Sequence, residues 1–121
     1  MPSRPPRRKS ASGVTARVAR DLALALPSTE EGPCYGTPGY RVKGKLFARF
    51  LDGGDILVVG VDRDSRDALI AAGPGKFFIT DHYRGYDWML VRLAAVSRDE
   101  LADLLRLAWS RKAPKRLAGR L

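Results

Sequence analysis

The residues with the most chemical capacity in this chain cluster in one stretch, HYRGYDWMLVRL, from His82 to Leu93. It holds the chain's one histidine, two of its four tyrosines and one of its two tryptophans, with Arg84 and Arg92 among them. Three chemistries are open to such a set. An imidazole between Asp81 and Asp87 can move protons, aromatic rings beside arginines can hold nucleic acid, and alternating apolar residues can form a strand that feeds a core.

Catalysis has the weakest support. Cys34 is the only cysteine, which excludes an intrachain disulfide and a cysteine-based metal cluster, and a single histidine excludes a histidine-rich metal site. Nothing around Cys34 resembles a nucleophile motif that would pair it with His82, so it reads as a small, partly buried apolar residue. The GPGK run at 73–76 ends like a phosphate-cradling loop but lacks the full spacing and the Ser or Thr after the lysine. Asp81 and Asp87 read as turn residues, and His82 as structural or solvated. No enzymatic activity and no cofactor are expected.

Binding has better support, and charge placement is the reason. The formal net charge is +9. Residues 1–20 and 106–121 hold 12 of the 22 basic residues and no acid. The remainder sets ten basic residues against thirteen acidic ones, about −3. Basic ends of this kind attract polyanions through counterion release without reading sequence, or else serve as solubilising tails.

The elements that must position these residues follow from periodicity and breakers. A chain of 121 residues is most simply one domain. Residues 1–12, rich in Pro, Arg and Ser, are expected to form a disordered basic arm, 13–113 a single domain and 114–121 a basic tail. Val14, Val18, Leu22 and Leu26 recur every four residues ahead of Pro27, which predicts a first helix. PSTEEGPCYGTPG reads as a loop. GYRVKGKLFARFL, broken at KGK, and ILVVGV, set off by DGGD at 52–55, predict a three-stranded meander with ILVVGV central. Asp62 or Asp64 can cap a short helix ending at Gly73. KFFIT and WMLVRLA predict two more strands. Ser97 and Glu100 predict a capping box for a last helix with Leu101, Leu104, Leu105, Ala108 and Trp109 on one face. The order α-β-β-β-α-β-β-α predicts an α+β fold, an antiparallel sheet of about five strands with two longer helices on one face.

Alternation assigns the faces of that sheet. With a three-residue KGK turn and a Gly53-Gly54 turn, Tyr40 pairs with Ala48, Val42 with Leu46, Phe50 with Leu57 and Ala48 with Val59. Tyr40, Val42, Leu46, Ala48, Phe50, Leu57, Val59 and Val61 then face the helices. Arg41, Lys43, Lys45, Phe47, Arg49, Ile56 and Val58 face away. If Met89, Val91 and Leu93 point to the core, Trp88, Leu90 and Arg92 join the cationic side. Cations around aromatic rings suit phosphates and stacked bases; the alternative is an ordinary wet sheet face.

The stretches ALALP, YGTPGYRVKGKLFARF, LVVGVD, HYRGYDWMLVRL and ELADLLRLAW, in this order and spacing, resemble the MmcQ/YjbR family of small bacterial proteins described as DNA-binding. The similarity runs from about Val14 to Pro114. It implies a fold like that of CyaY and frataxin, with two helices on a twisted antiparallel sheet, and a double-wing mode of gripping DNA. The wings would be the RVKGKLFAR and DHYRGYDW hairpins. A frataxin-like fold also raises iron binding, but that needs an acidic ridge, and the first helix offers only Asp21 against Arg17 and Arg20.

The expected partner is therefore DNA, held non-specifically by Arg41, Lys43, Lys45, Phe47, Arg49, His82, Tyr83, Arg84, Tyr86, Trp88 and Arg92. The alternative is a protein-interaction or small-ligand module that uses the aromatic hairpin as a pocket wall. A monomer without a membrane partner is expected. No apolar stretch follows the paired arginines of the first residues as a signal peptide requires, so a cytoplasmic location is the default.

Overall fold

A computed structural model describes residues 13–119. The elements run α1 (Ala16–Leu24), β1 (Thr29–Cys34), β2 (Thr37–Val42), β3 (Lys45–Phe50), β4 (Ile56–Gly60), α2 (Arg63–Ala72), β5 (Phe77–Phe78), β6 (Trp88–Arg92), α3 (Arg98–Lys112) and α4 (Lys115–Ala118). Single 3-10 turns lie at Asp81–Tyr83 and Leu93–Ala95. All strand pairings are antiparallel and the sheet order is β1-β2-β3-β4-β6-β5.

The sheet has six strands, one more than expected, because PSTEEGPCYGTPG is not a loop. Its residues form β1 and the start of β2, joined by Tyr35-Gly36 with φ of 53° and 83°. Positive φ at both central positions is the type I′ geometry that matches strand twist. Closing the turn makes Cys34–Thr37 a hydrogen-bonded pair, so alternation leaves Pro33–Pro38 as a non-hydrogen-bonded pair. Pro33 then turns its missing donor to the open edge, and the β2–β3 ladder begins only at Gly39. Edge strands tolerate proline for this reason.

The second hairpin also differs from expectation. Lys43-Gly44 is a two-residue turn, with φ of 50° and 81°, so Val42 pairs with Lys45 rather than Leu46. A β-bulge at Phe47 then restores the expected pairing of Tyr40 with Ala48. Beyond the bulge, Ala48–Val59 and Phe50–Leu57 pair as the sequence predicts. The extra residue carries Phe47 into the core, where none of its surface is exposed, and turns Leu46 outward. Phe47 is therefore no part of a cationic face, and Lys45, opposite Val42, lies on the helix side of the hairpin tip.

The main core joins one sheet face to α1 and α3. Tyr40, Val42, Phe50, Leu57, Val59, Met89 and Val91 meet Ala19, Ala23, Leu101, Leu105, Ala108 and Trp109. α1 starts later than its apolar spacing suggests. Thr15 caps it by accepting from the Val18 amide at 3.2 Å, while Val14 precedes the helix and donates to the Leu93 carbonyl. Its buried residues are Ala19 and Ala23, with Val18, Leu22 and Leu26 packed alongside. Asp62 caps α2 by accepting from the Ser65 amide at 3.0 Å. Ser97 and Glu100 form the capping box of α3, and Lys76 donates to Glu100 at 2.7 Å. That hydrogen bond holds the Glu100 carboxyl below its ordinary range and gives the GPGK lysine a structural use. The Trp109 indole donates to the Pro27 carbonyl at 2.9 Å, fastening the end of α1 to α3. Past Pro114 the chain turns into α4, whose Leu117 and Ala118 pack on the core instead of extending as a tail. The basic arm assigned to residues 1–12 lies outside the described residues.

Tyr40 is 1% exposed, and its hydroxyl has no hydrogen-bond partner among the described residues. Burial, reinforced by the nearby Glu31 carboxylate, pushes its pKa up from 10.0 to about 12. Removing an unpartnered buried hydroxyl should stabilise the fold, so Tyr40→Phe is expected to raise unfolding free energy by about 1 kcal/mol. The raised pKa means that the wild type loses stability as the unfolded tyrosine ionises above pH 10, with the loss complete near 12. The advantage of the phenylalanine variant in denaturant melts should therefore widen across that window. A constant or shrinking gap would show that the hydroxyl is satisfied.

Candidate functional site

The second face of the sheet is not an open cationic surface. Val58 and Leu90 pair across β4 and β6, each is 1% exposed, and neither belongs to the main core. This face has its own cover, the segment from Asp81 to Asp87. The segment is expected to be a projecting hairpin tip. Instead it makes a 3-10 turn and folds back beside Val58.

An irregular segment packed on a sheet must satisfy its own carbonyls. Arg66 of α2 does this. It is 4% exposed, and Nη1 donates to the carbonyls of Tyr86 at 2.9 Å and of Tyr83 and Arg84 at 3.4 Å, while Nε meets Asp67 at 3.2 Å. Arg63 adds a bond to the Gly85 carbonyl at 3.1 Å and an ion pair to Asp87 at 3.2 Å. Arg111 of α3 reaches the other Asp87 oxygen at 3.2 Å. Asp87 is thus an anchor between two arginines. Within the segment Arg84 pairs with the exposed Asp81 at 2.7 Å.

Between this segment and the β1–β2 turn lies a cleft of about 600 Å³. Tyr35, Leu46, Arg49, Val58, His82, Tyr83, Tyr86 and Trp88 line it. Trp88 is half-buried and packs across Gly60, its pairing partner, where an added Cβ would stand 3.5 Å from the indole. It therefore belongs to the cleft side, with Met89, Val91 and Leu93 in the core as expected. His82 stands edge-on to the Tyr83 ring at 4.7 Å.

Arg49 is the one permanently charged side chain of the lining. Its Nη1 donates to the Tyr83 hydroxyl at 2.9 Å and its Nη2 to the Thr37 hydroxyl at 3.2 Å. Thr37 in turn donates to the Cys34 carbonyl at 3.0 Å. The Arg49 Nε is buried without a partner among the described residues. Its guanidinium lies 5.4 Å from the centre of the Tyr35 ring. Every partner is neutral, and among the described residues no carboxylate lines the cleft. The ion pairs among the described residues use Arg20, Arg63, Arg66, Lys76, Arg84, Arg106 and Arg111, and none uses Arg41, Lys43, Lys45 or Arg49.

Of the residues expected to form one binding face, the fold brings together Arg49, His82, Tyr83, Tyr86 and Trp88. Arg41 sits opposite Leu46 on the same face, and Lys43 and Lys45 mark the hairpin tip. Arg92 is separated from them. It lies at the far end of β6, opposite Ile56 and 4.0 Å over the Phe78 ring. Sequence reasoning missed Tyr35, which is 91% exposed at a turn position that favours Asn, Asp or Gly. A tyrosine at this φ costs about 1 kcal/mol. The Tyr-Gly pair between two short polar runs was its only sequence signal. Cys34 is buried beside Gly39, where an added Cβ would stand 2.9 Å from the cysteine's, and no hydrogen bond joins it to His82. Among the described residues no group of three or more His, Cys, Asp or Glu could hold a metal ion, and no helix is long and apolar enough to cross a membrane.

The family model YjbR matches residues 24–111. The chain belongs to the YjbR family. That match takes in every cleft-lining residue. Relatives of this YjbR chain include uncharacterized protein Rv2570 of Mycobacterium tuberculosis (strain ATCC 25618 / H37Rv) and uncharacterized protein Mb2600 of Mycobacterium bovis. Each is 46% identical over 65 residues, covering 53% of this chain and 50% of that protein. The aligned part thus spans about half the length of the curated relatives it matches. A crystal structure of Deinococcus radiodurans protein DR2400, of domain DUF419, is similar in fold, with TM-score 0.70 and 24% identity over 80% of this chain and 77% of that one. This corrects the expectation of a CyaY-like, frataxin-like fold. The described residues form a six-stranded antiparallel sheet with four helices, and their likeness is to the DUF419 structure.

The Arg66 clamp can be tested directly. Arg66→Met keeps the apolar stem but leaves three carbonyls without their shared donor, and should destabilise the fold by about 2–3 kcal/mol. Chymotrypsin should cut selectively at Tyr83 or Tyr86 in the variant under conditions where the wild type resists. Unchanged melting together with unchanged protection would remove the clamp from the account.

Proposed function

We propose that this YjbR-family protein is a non-catalytic nucleic-acid-binding module that holds its partner through phosphate contacts, with little dependence on base sequence. The observation that carries this reading is the aromatic cleft without a carboxylate, next to a hairpin whose cations form no ion pair, among the described residues. Cations left unneutralised are available to a phosphate backbone, and aromatic faces accept bases of any identity. Arg49 supplies the charge inside the cleft, Arg41 lies beside Leu46 at its margin, and Lys43 and Lys45 stand exposed at the tip. The basic ends of the chain add long-range attraction.

The cleft's size favours a second reading. Its volume of about 600 Å³ falls within the roughly 300–1,000 Å³ typical of small-ligand sites, so the same walls suit a small anion with an apolar body.

Salt separates the two. Random-sequence DNA, single-stranded and duplex, should bind the full chain at low salt and lose affinity as salt rises. Replacing Lys43 and Lys45 together with alanine should flatten the slope of log affinity against log salt by about 1–2. Absence of binding at low salt, or binding indifferent to salt, overturns the nucleic-acid reading. If the double variant keeps the full slope while removal of residues 1–12 abolishes binding, the hairpin is not the contact.

A further inference from the structure

The cleft has features that a phosphate-tracking surface alone does not need. Tyr35 and Tyr86 are the two most exposed aromatic side chains, at 91% and 61%, and both line it. They come from opposite rims of the cleft, one from the β1–β2 turn and one from the segment before β6. Between them lie β3 and β4, so the floor from β2 to β6 covers three strand spacings, about 14 Å. Trp88 and Tyr83 form the wall on the β6 side, and Arg49 rises from the floor.

Neither packing nor turn geometry accounts for Tyr35. It occupies the left-handed region at φ 53°, and the protein group facing its ring is the Arg49 guanidinium at 5.4 Å. Strained, exposed aromatics of this kind are reasonable ligand surfaces. The lining offers flat π-faces, one guanidinium without an ion pair among the described residues, and few groups able to read a base edge.

We propose that this cleft takes one unpaired nucleotide, its base stacked on Tyr35 and its phosphate on Arg49. This rests on the nucleic-acid reading and narrows it. In a duplex the base faces are already stacked on their neighbours and cannot enter, whereas a single strand or a free nucleotide presents them. Little discrimination between bases follows from a lining of π-faces.

The test uses the full chain, oligo(dT), the matching duplex of equal length, free thymidine monophosphate and inorganic phosphate, all at one ionic strength. Oligo(dT) should bind about tenfold tighter than the duplex, and quench the emission of Trp88 where the core residue Trp109 is shielded. Tyr35→Asn places a favoured residue in the turn, so the variant should melt at or above the wild-type temperature and yet lose about tenfold in oligo(dT) affinity. Competition by thymidine monophosphate as strong as that by oligo(dT) assigns the site to free nucleotides; much weaker competition assigns it to a strand. Equal binding of duplex and single strand, unaffected by Tyr35→Asn, overturns the inference while leaving nucleic-acid binding intact. Inorganic phosphate competing as well as the nucleotide also overturns it, since the base would then contribute nothing. Loss of all salt-dependent binding overturns both readings.

Discussion

Leu57, Val58 and Val59 follow one another along β4 and all are buried. Successive strand residues point to opposite faces, so the centre of this sheet leaves neither face to water. Each face needs its own cover. On one side α1 and α3 supply it with an apolar stripe, an efficient solution because a helix satisfies its own backbone. On the other side the cover is irregular chain, Asp81–Asp87, and irregular chain brings unsatisfied carbonyls with it. The buried Arg66 answers that need, with Arg63 and Arg111 holding the segment's end at Asp87. The cleft is what remains of this face between the segment and the β1–β2 turn.

The cations divide into two populations by what surrounds them. Arg63, Arg66, Arg84, Arg106 and Arg111 meet carboxylates or carbonyls and act in the fold. Those of the β2–β3 hairpin meet neutral groups or solvent. Arg49 is intermediate: its two terminal nitrogens are held by hydroxyls, which orient the guanidinium without neutralising it. An oriented charge whose buried Nε has no partner among the described residues adds little to stability. Net charge alone does not distinguish these populations, because the same arginine count serves both.

Much of the fold was legible in the residue pattern. The capping box at Ser97 and Glu100, the apolar face of α3, the central position of ILVVGV and the pairing of Phe50 with Leu57 all follow from short-range chemistry. Alternation along β6 set Trp88 opposite Met89 and Val91 but left open which side faces the helices, and the structure puts Met89 and Val91 in the core with Trp88 on the cleft side. The errors arose where a residue's effect depended on a neighbouring strand. Pro33 and Gly32 suppress the strand signal of β1, although an edge position tolerates both. A two-residue turn plus a bulge gives the same downstream pairing as a three-residue turn, so alternation by itself placed Phe47 and Lys45 on the wrong side.

The sequence by itself determined the three longer helices and the strands from β2 onward, the antiparallel class of the sheet, and which aromatic and basic residues share one stretch. Those properties reside in periodicity, caps and turn residues that act over a few positions. The tertiary structure alone decided that the HYRGYD segment folds back on the sheet, that Tyr35 stands across from it, and that Arg49 but not Arg92 belongs to the cleft. Each of these depends on contacts between residues far apart in the chain, above all the bonds from Arg66 to carbonyls 17 to 20 positions away. A buried cation that binds backbone carbonyls leaves no periodic trace in a sequence, because its partners can be of any residue type.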